Sequence, residues 1–152
     1  MNRTKKWIYI AAVFVVVISS IALYIYKEYN RKNSDTAGLE ADYTVVAPAI
    51  IKEFEMDDSS AGKKYTDKII LAEGMVKDIL KDDRGFYSVM LGDTASMSSV
   101  KCSMDSSYNY GALKLQKGSY TKVKGVCAGF NADELLGSDV ILVRCVIDKK
   151  NK

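Results

Sequence analysis

The sequence predicts a mainly β protein: a five-stranded Greek-key barrel preceded by one or two α-helices and carried behind an N-terminal transmembrane helix. Three observations predict it. Residues 7–26 run for twenty positions without a charge. After Lys68 the apolar residues alternate with period two in five short runs, separated by turn-forming clusters. Glycines fall inside the first and fourth of those runs, at Gly74 and Gly125, where a coiled barrel strand has to bend.

The first element is the uncharged run WIYIAAVFVVVISSIALYIY, bracketed by Arg3, Lys5 and Lys6 on one side and Lys27, Arg31 and Lys32 on the other. At about 1.5 Å per helical residue it spans roughly 30 Å, the thickness of a bilayer's hydrocarbon. Trp7 and Tyr9 at one end, with Tyr24 and Tyr26 at the other, suit the two interfacial belts. The lipid bilayer is thus the expected partner of residues 7–26, and the cell membrane the expected location, with a single pass. A cleaved secretory signal competes with this reading, because Ser20-Ile21-Ala22 offers a small-residue cleavage site. The apolar run continues past that site to Tyr26, which favours a retained anchor. A buried core helix is disfavoured because the run has no amphipathic face. Three basic residues flank each end, so the positive-inside count is nearly tied. The α-amino charge tips the N-terminus inward and places the C-terminal domain outside the cytoplasm, on the periplasmic side. The expected organisation is a basic flank (1–6), the membrane helix (7–26), a polar linker (27–43), a helical lead-in with barrel (44–148) and a tail (149–152).

Charge divides unevenly around the anchor. Residues 1–32 hold six Lys/Arg and one acid; the remainder holds sixteen Lys/Arg against eighteen acids, a net charge of −2. Proteins that bind nucleic acid draw much of their affinity from neutralising phosphates, so a mildly acidic domain disfavours nucleic acid as partner. Histidine is absent, which removes the commonest general base, the usual Ser and Cys triads and most catalytic zinc sites. No catalytic residue, cofactor or metal site is therefore expected, and the chain is not expected to be an enzyme.

Along the domain, Thr44 to Tyr65 reads as helical. Val45, Val46, Ile50, Ile51 and Phe54 form its stripe, Pro48 stands where a first turn tolerates it, and a break falls at Asp57–Ser60. Five strands follow: 69–79, with Ile70, Ala72, Gly74 and Val76 on one face; Phe86 to Asp93; Val100 to Met104; Tyr120 to Phe130; and Val140 to Ile147. Tyr108 to Lys117 forms one or two helical turns between the third and fourth strands. This order fits an OB-fold; a small β-sandwich would want about seven strands.

The stretch from Lys63 to Ile79, followed by SVKCSM, LQKGSYTKVKGVCAGF and DVILVRCVI, resembles the OB-fold family named for its likeness to the tRNA anticodon-binding domain. The positions that carry the resemblance are Lys64, Tyr65, Lys68, Gly74 and Val76; Val100 and Cys102; Gly118, Val123, Gly125, Cys127 and Gly129; and Leu142, Cys145 and Ile147. The resemblance covers about residues 45–148. It implies a membrane-anchored or lipoprotein-type bacterial protein and supports the outward orientation, but it assigns no catalytic or binding residues.

On an OB-fold the ligand surface lies on the second and third strands and on the loops joining strands one to two and four to five. Phe86, Tyr87 and Tyr108 are its candidate aromatic face, with core packing as the plainer role for alternating strand residues. The loop holding Asp133, Glu134 and Asp139 repels phosphate. Lys63, Lys64 and Lys68 read as the solvated end of a helix, Lys122 and Lys124 as a solvated stripe, and Asp57 with Asp58 as helix caps. The fifth strand of such a barrel lies between the third and fourth, so Cys145 can approach Cys102 or Cys127. A Cys127–Cys145 disulfide is the preferred pairing, against three reduced thiols in the core. The expected function is a non-catalytic, extracytoplasmic binding module for a protein, peptide or carbohydrate, with single-stranded nucleic acid as the alternative ligand.

Overall fold

The computed structural model describes residues 3–29, 36–133 and 135–148, and within 3–29 the side chains of Trp7 and residues 13–26. The chain divides into two units, 1–34 and 35–152. The first is the helix α1 (Arg3–Tyr29), a segment without Gly or Pro. Ser20 donates its hydroxyl to the Val16 carbonyl at 2.9 Å, so this polar group is satisfied inside the helix. Among the described residues no helix is long and apolar enough to cross a membrane. The sequence's twenty-residue span lies partly outside the described side chains. Of its interfacial anchors, Trp7, Tyr24 and Tyr26 are exposed, and the side chain of Tyr9 lies outside the described residues.

In the second unit the region read as linker is partly docked. Thr36 is buried, and Lys124 Nζ donates to the carbonyls of Ala37 (3.0 Å) and Leu39 (2.7 Å). Asp42 donates its N–H to the Ile69 carbonyl, and its carboxylate accepts the Ile69 N–H, both at 2.8 Å. Thr44 and its neighbours are not helical: Tyr43–Val46 form β1, parallel to the first barrel strand. Tyr, Thr and two Val favour a pleated surface, and this preference prevails until Ala47, where Pro48 opens α2 (Ala47–Met56). The stripe of α2 is Ala47, Ile50, Ile51 and Phe54, all buried. Asp57 accepts the Ser60 N–H (3.0 Å) and hydroxyl (2.6 Å), capping α3 (Asp58–Tyr65). The Asp57–Asp58 pair is a helix start.

The barrel strands are β2 (Ile69–Lys81), β3 (Tyr87–Leu91), β4 (Ser99–Met104), β5 (Tyr120–Asn131) and β6 (Asp139–Ile147), with a 3-10 helix (Asn109–Lys114) between β4 and β5. The sheet order is β1-β2-β3-β4-β6-β5, and a β2–β5 pairing closes β2 to β6 into a barrel. β4 and β6 run parallel; the other barrel pairs are antiparallel. Inward positions are fully buried: Ile70, Ala72 and Val76 of β2, Val89 and Leu91 of β3, Val100 and Cys102 of β4, Val123 and Cys127 of β5, and Val140, Leu142 and Cys145 of β6. From the lead-in, Ile50, Phe54 and Tyr65 complete this core, with the Phe54 ring stacked on Phe130 at 5.1 Å. Gly74 admits the helix start, since a Cβ there would meet Ala47 Cβ at 3.0 Å.

The three cysteines are free and buried. Cys127 stands opposite Leu142, whereas Cys145 is paired across to Met104 of β4, with the Cys102 side chain near enough to act on its thiol. The geometry therefore sets Cys102, rather than the expected Cys127, beside Cys145. Burial first, then the Cys102 side chain, pushes the Cys145 thiol far up, and burial likewise raises Cys127. Neither thiol is activated toward nucleophilic attack. Lys122 and Lys124 do not form a solvated stripe. Lys122 pairs with Glu73 at 2.8 Å, and Lys124 clamps the entering chain.

Candidate functional site

The outward face of β3 and β4 follows from their alternation. Ser88 and Met90 on β3 lie opposite Ser103 and Lys101 on β4, and all four are half-buried, alternating with the buried Val89, Leu91, Val100, Cys102 and Met104. This surface carries one cation and no aromatic ring. One end of the barrel is bounded by the 82–86 turn and the 3-10 helix, the other by residues 92–98 and 132–138. At that second end Lys77 Nζ donates to the carbonyls of Ser96 (2.7 Å) and Ser98 (2.9 Å). Ser99 N–H donates to the Ser138 carbonyl (3.0 Å). Asp133 and Asp139 have local work. Asp133 Oδ1 accepts the N–H groups of Leu135 and Leu136, each at 2.8 Å, and these bonds, Leu136 first, hold its carboxyl below the usual range. Asp139 accepts the Ser99 hydroxyl. Glu134 lies outside the described residues.

The first end carries the aromatic residues. Asn109, buried at the start of the 3-10 helix, accepts the Tyr87 N–H at 2.7 Å and donates to the Gly85 carbonyl at 2.9 Å. One amide thus ties the 3-10 helix to the turn before β3 and brings Phe86, Tyr87 and Tyr108 to the same end of the barrel. Their surroundings differ. Tyr87 packs against the core, with Lys81 Nζ 5.6 Å from its ring centroid, so the plainer packing role applies to it. Phe86 is 42% exposed on the turn. Tyr108, 37% exposed, lines a cleft of about 370 Å³.

Ser107, Tyr108, Tyr110, Gly111, Lys114, Leu115 and Ile147 line that cleft. Tyr110 is 74% exposed and Lys114 is exposed, while Leu115 packs against the core and closes the hydrocarbon side. Gly111 leaves room beside Ile147, because a Cβ there would press on Ile147 Cδ1 at 3.3 Å. A cleft of this size lies at the low end of the roughly 300–1,000 Å³ common for small-ligand sites. Sequence reasoning found Tyr108 and missed the rest. The available signal was Tyr108-Asn109-Tyr110, whose two rings flank a residue suited to a strut. Ile147 closes the cleft from a strand end 36 residues beyond Gly111, which local pattern cannot show. Among the described residues no group of three or more His, Cys, Asp or Glu is placed to hold a metal ion.

A closed five-stranded barrel with a short helix between its third and fourth strands, and its fifth strand paired in parallel with the third, is an OB-fold. The chain belongs to the tRNA_anti-like family, whose match runs over residues 1–147. Among solved structures it is similar to a "putative nucleic acid-binding lipoprotein" from Klebsiella pneumoniae, with a TM-score of 0.54 and 17% identity. The likeness covers 79% of this chain and 100% of that one, and at this identity it is one of fold. No curated protein matches the chain in sequence.

Proposed function

We propose that the protein is a membrane-tethered, non-catalytic binding module, displayed outside the cytoplasm, that takes a protein, peptide or glycan in the cleft beside the 3-10 helix. The observation that carries this reading is where the aromatic surface stands. Tyr108 and Tyr110 wall a cleft floored by Leu115 and Ile147, whereas the outward face of β3 and β4 offers Ser88, Met90, Lys101 and Ser103. OB-folds that hold single strands stack bases on aromatic side chains along that strand face. The tether rests on the uncharged run 7–26 and on the exposed Phe14, Ile18, Ile21, Leu23 and Ile25 of α1, which need an apolar surrounding. The outward orientation rests on the flanking charge and on the lipoprotein character of the Klebsiella protein.

Nucleic-acid binding is the second reading, favoured by the description of that same structure. Photocrosslinking separates the two. A benzophenone amino acid is placed at position 110 or at position 90 of the full chain in its native membrane. Adducts with protein or glycan from position 110, and few from position 90, are expected. Nucleic-acid adducts concentrated at position 90 would replace the first reading with the second.

A further inference from the structure

We infer that the cleft beside the 3-10 helix binds the C-terminal end of a peptide whose last residue is apolar or aromatic, with Lys114 holding the carboxylate. This inference rests on the cleft being the ligand site and names the ligand's chemistry. The lining is informative in what it combines. Leu115, Ile147 and the rings of Tyr108 and Tyr110 supply an apolar wall; Ser107 and the two phenols supply hydroxyls; among the described residues Lys114 is the one cation of the lining, and no acid lines the cleft. A polyhydroxylated sugar is held by several planar hydrogen-bonding side chains, and a nucleotide strand by repeated cations along its phosphates. A single ammonium beside hydrocarbon matches one anionic group attached to one apolar body.

Lys114 is one of several lysines that the fold leaves uncommitted, and among the described residues it is the one that lines the cleft. Lys64, Lys117 and Lys122 are engaged with Glu53, Asp78 and Glu73 at 2.7–2.9 Å. Lys77 and Lys124 cap backbone carbonyls. Lys114 stands at the cleft in none of the ion pairs among the described residues, so its charge is available to an incoming anion. The site is also pre-organised. Asn109 bonds both the Gly85 carbonyl and the Tyr87 N–H, which fixes the 3-10 helix against the barrel before any ligand arrives and lowers the ordering cost of binding. About 370 Å³ suits one or two residues of an extended chain end rather than a folded partner.

The test uses the full chain in zwitterionic nanodiscs, titrated with acetyl-glycyl-glycyl-phenylalanine as the free acid and as its amide. Wild type is expected to prefer the acid by about tenfold, the range of a charge-assisted bond. Lys114→Gln should bring the acid down to the amide's affinity, and Tyr110→Ser should weaken both. Tyr110 and Lys114 are exposed, and a thermal melt of each variant verifies folding. Equal affinity for acid and amide in wild type, with loss of both in Tyr110→Ser, would overturn the carboxylate assignment and leave the cleft as the site. Absence of saturable binding overturns the peptide assignment, and peptide binding untouched by Tyr110→Ser overturns the cleft as well. Decanoate competing more tightly than the peptide acid would assign the cleft to fatty acids instead.

Discussion

Gly125 shows how much a single side chain decides in this barrel. A Cβ built there would lie 2.4 Å from Cys145 Sγ and 3.2 Å from both Leu142 Cβ and the Val143 carbonyl. Gly125→Ala is therefore expected to destabilise the protein by about 1–3 kcal/mol through overpacking, read as a lower denaturation midpoint in detergent. Adding Cys145→Ala should recover part of the loss, because the worst contact is with the sulfur. An unchanged midpoint in Gly125→Ala would contradict the packing role. The sequence marks Gly125 as a bend, but it hides Cys145. With Val140 and Leu142 inward, strict alternation points residue 145 outward. In the structure Arg144 adopts φ +53°, and Val143 with Arg144 opposes Ser103 alone, so the parity resets and Cys145 is buried. A one-residue bulge is settled by pairing across the barrel, which local pattern does not contain. Glu53 carries a separate, titratable contribution. It accepts from Lys64 Nζ and from the Tyr65 hydroxyl, both at 2.9 Å, and the Lys64 bond first holds its carboxyl below the ordinary 4.5. A depressed carboxyl stabilises the fold above its unfolded value, and that stabilisation fades as pH falls through the lowered folded value. Both side chains are over 40% exposed, so solvent screens the pair and the effect is small. Glu53→Gln should lower Tm near neutral pH and shrink the further drop below pH 4.5; a Tm–pH profile superimposable on wild type would remove Glu53 from the acid response.

At the scale of elements, the barrel strands are legible because each is half-buried and alternates, and the observed ends differ from the expected ones by two residues or fewer at most boundaries. The lead-in is less legible. Val45 and Val46 belong to a helical stripe when read with Ile50 and Phe54, yet they lie on β1, because β2 offers an open edge that a short β-branched segment can join. The same competition explains the docked part of the linker. Residues 36–42 are polar and low in aliphatics, and what holds them is backbone bonding to Lys124 and Ile69, which composition does not reveal. The candidate site suffers most, since its walls come from the 3-10 helix and the end of β6. Asp42 offers a test of the docked segment. Replacing it with Ala removes the acceptor for the Ile69 N–H and should cost about 1 kcal/mol. Amide exchange should accelerate across residues 36–46 while the strands from β2 to β6 keep their protection. Faster exchange spread evenly over β2 to β6 would show that the segment is integral to the barrel rather than laid on it.

For the whole molecule, the placement of charge decides between its two candidate ligand classes. Only residues 1–32 carry a positive excess, and the remainder is at −2. Five of the domain's sixteen cations are already committed: three lysines to carboxylates and two to backbone carbonyls. On the outward face of β3 and β4 only Lys101 remains, between Ile141 on β6 and Met90 on β3. Each phosphate neutralised on a single strand contributes about −0.7 to the slope of log affinity against log salt. A surface with one such cation should therefore give a slope no steeper than about −1. The measurement is a fluorescence-anisotropy titration of an oligothymidine with the full chain in zwitterionic nanodiscs, repeated from low to physiological salt. A shallow slope, unaltered by Lys101→Ala, is expected if the cleft and not the strand face is the ligand surface. A slope of about −2 or steeper, reduced by Lys101→Ala, would mean that at least three phosphates are engaged. The protein would then share the ligand class ascribed to the Klebsiella structure it resembles.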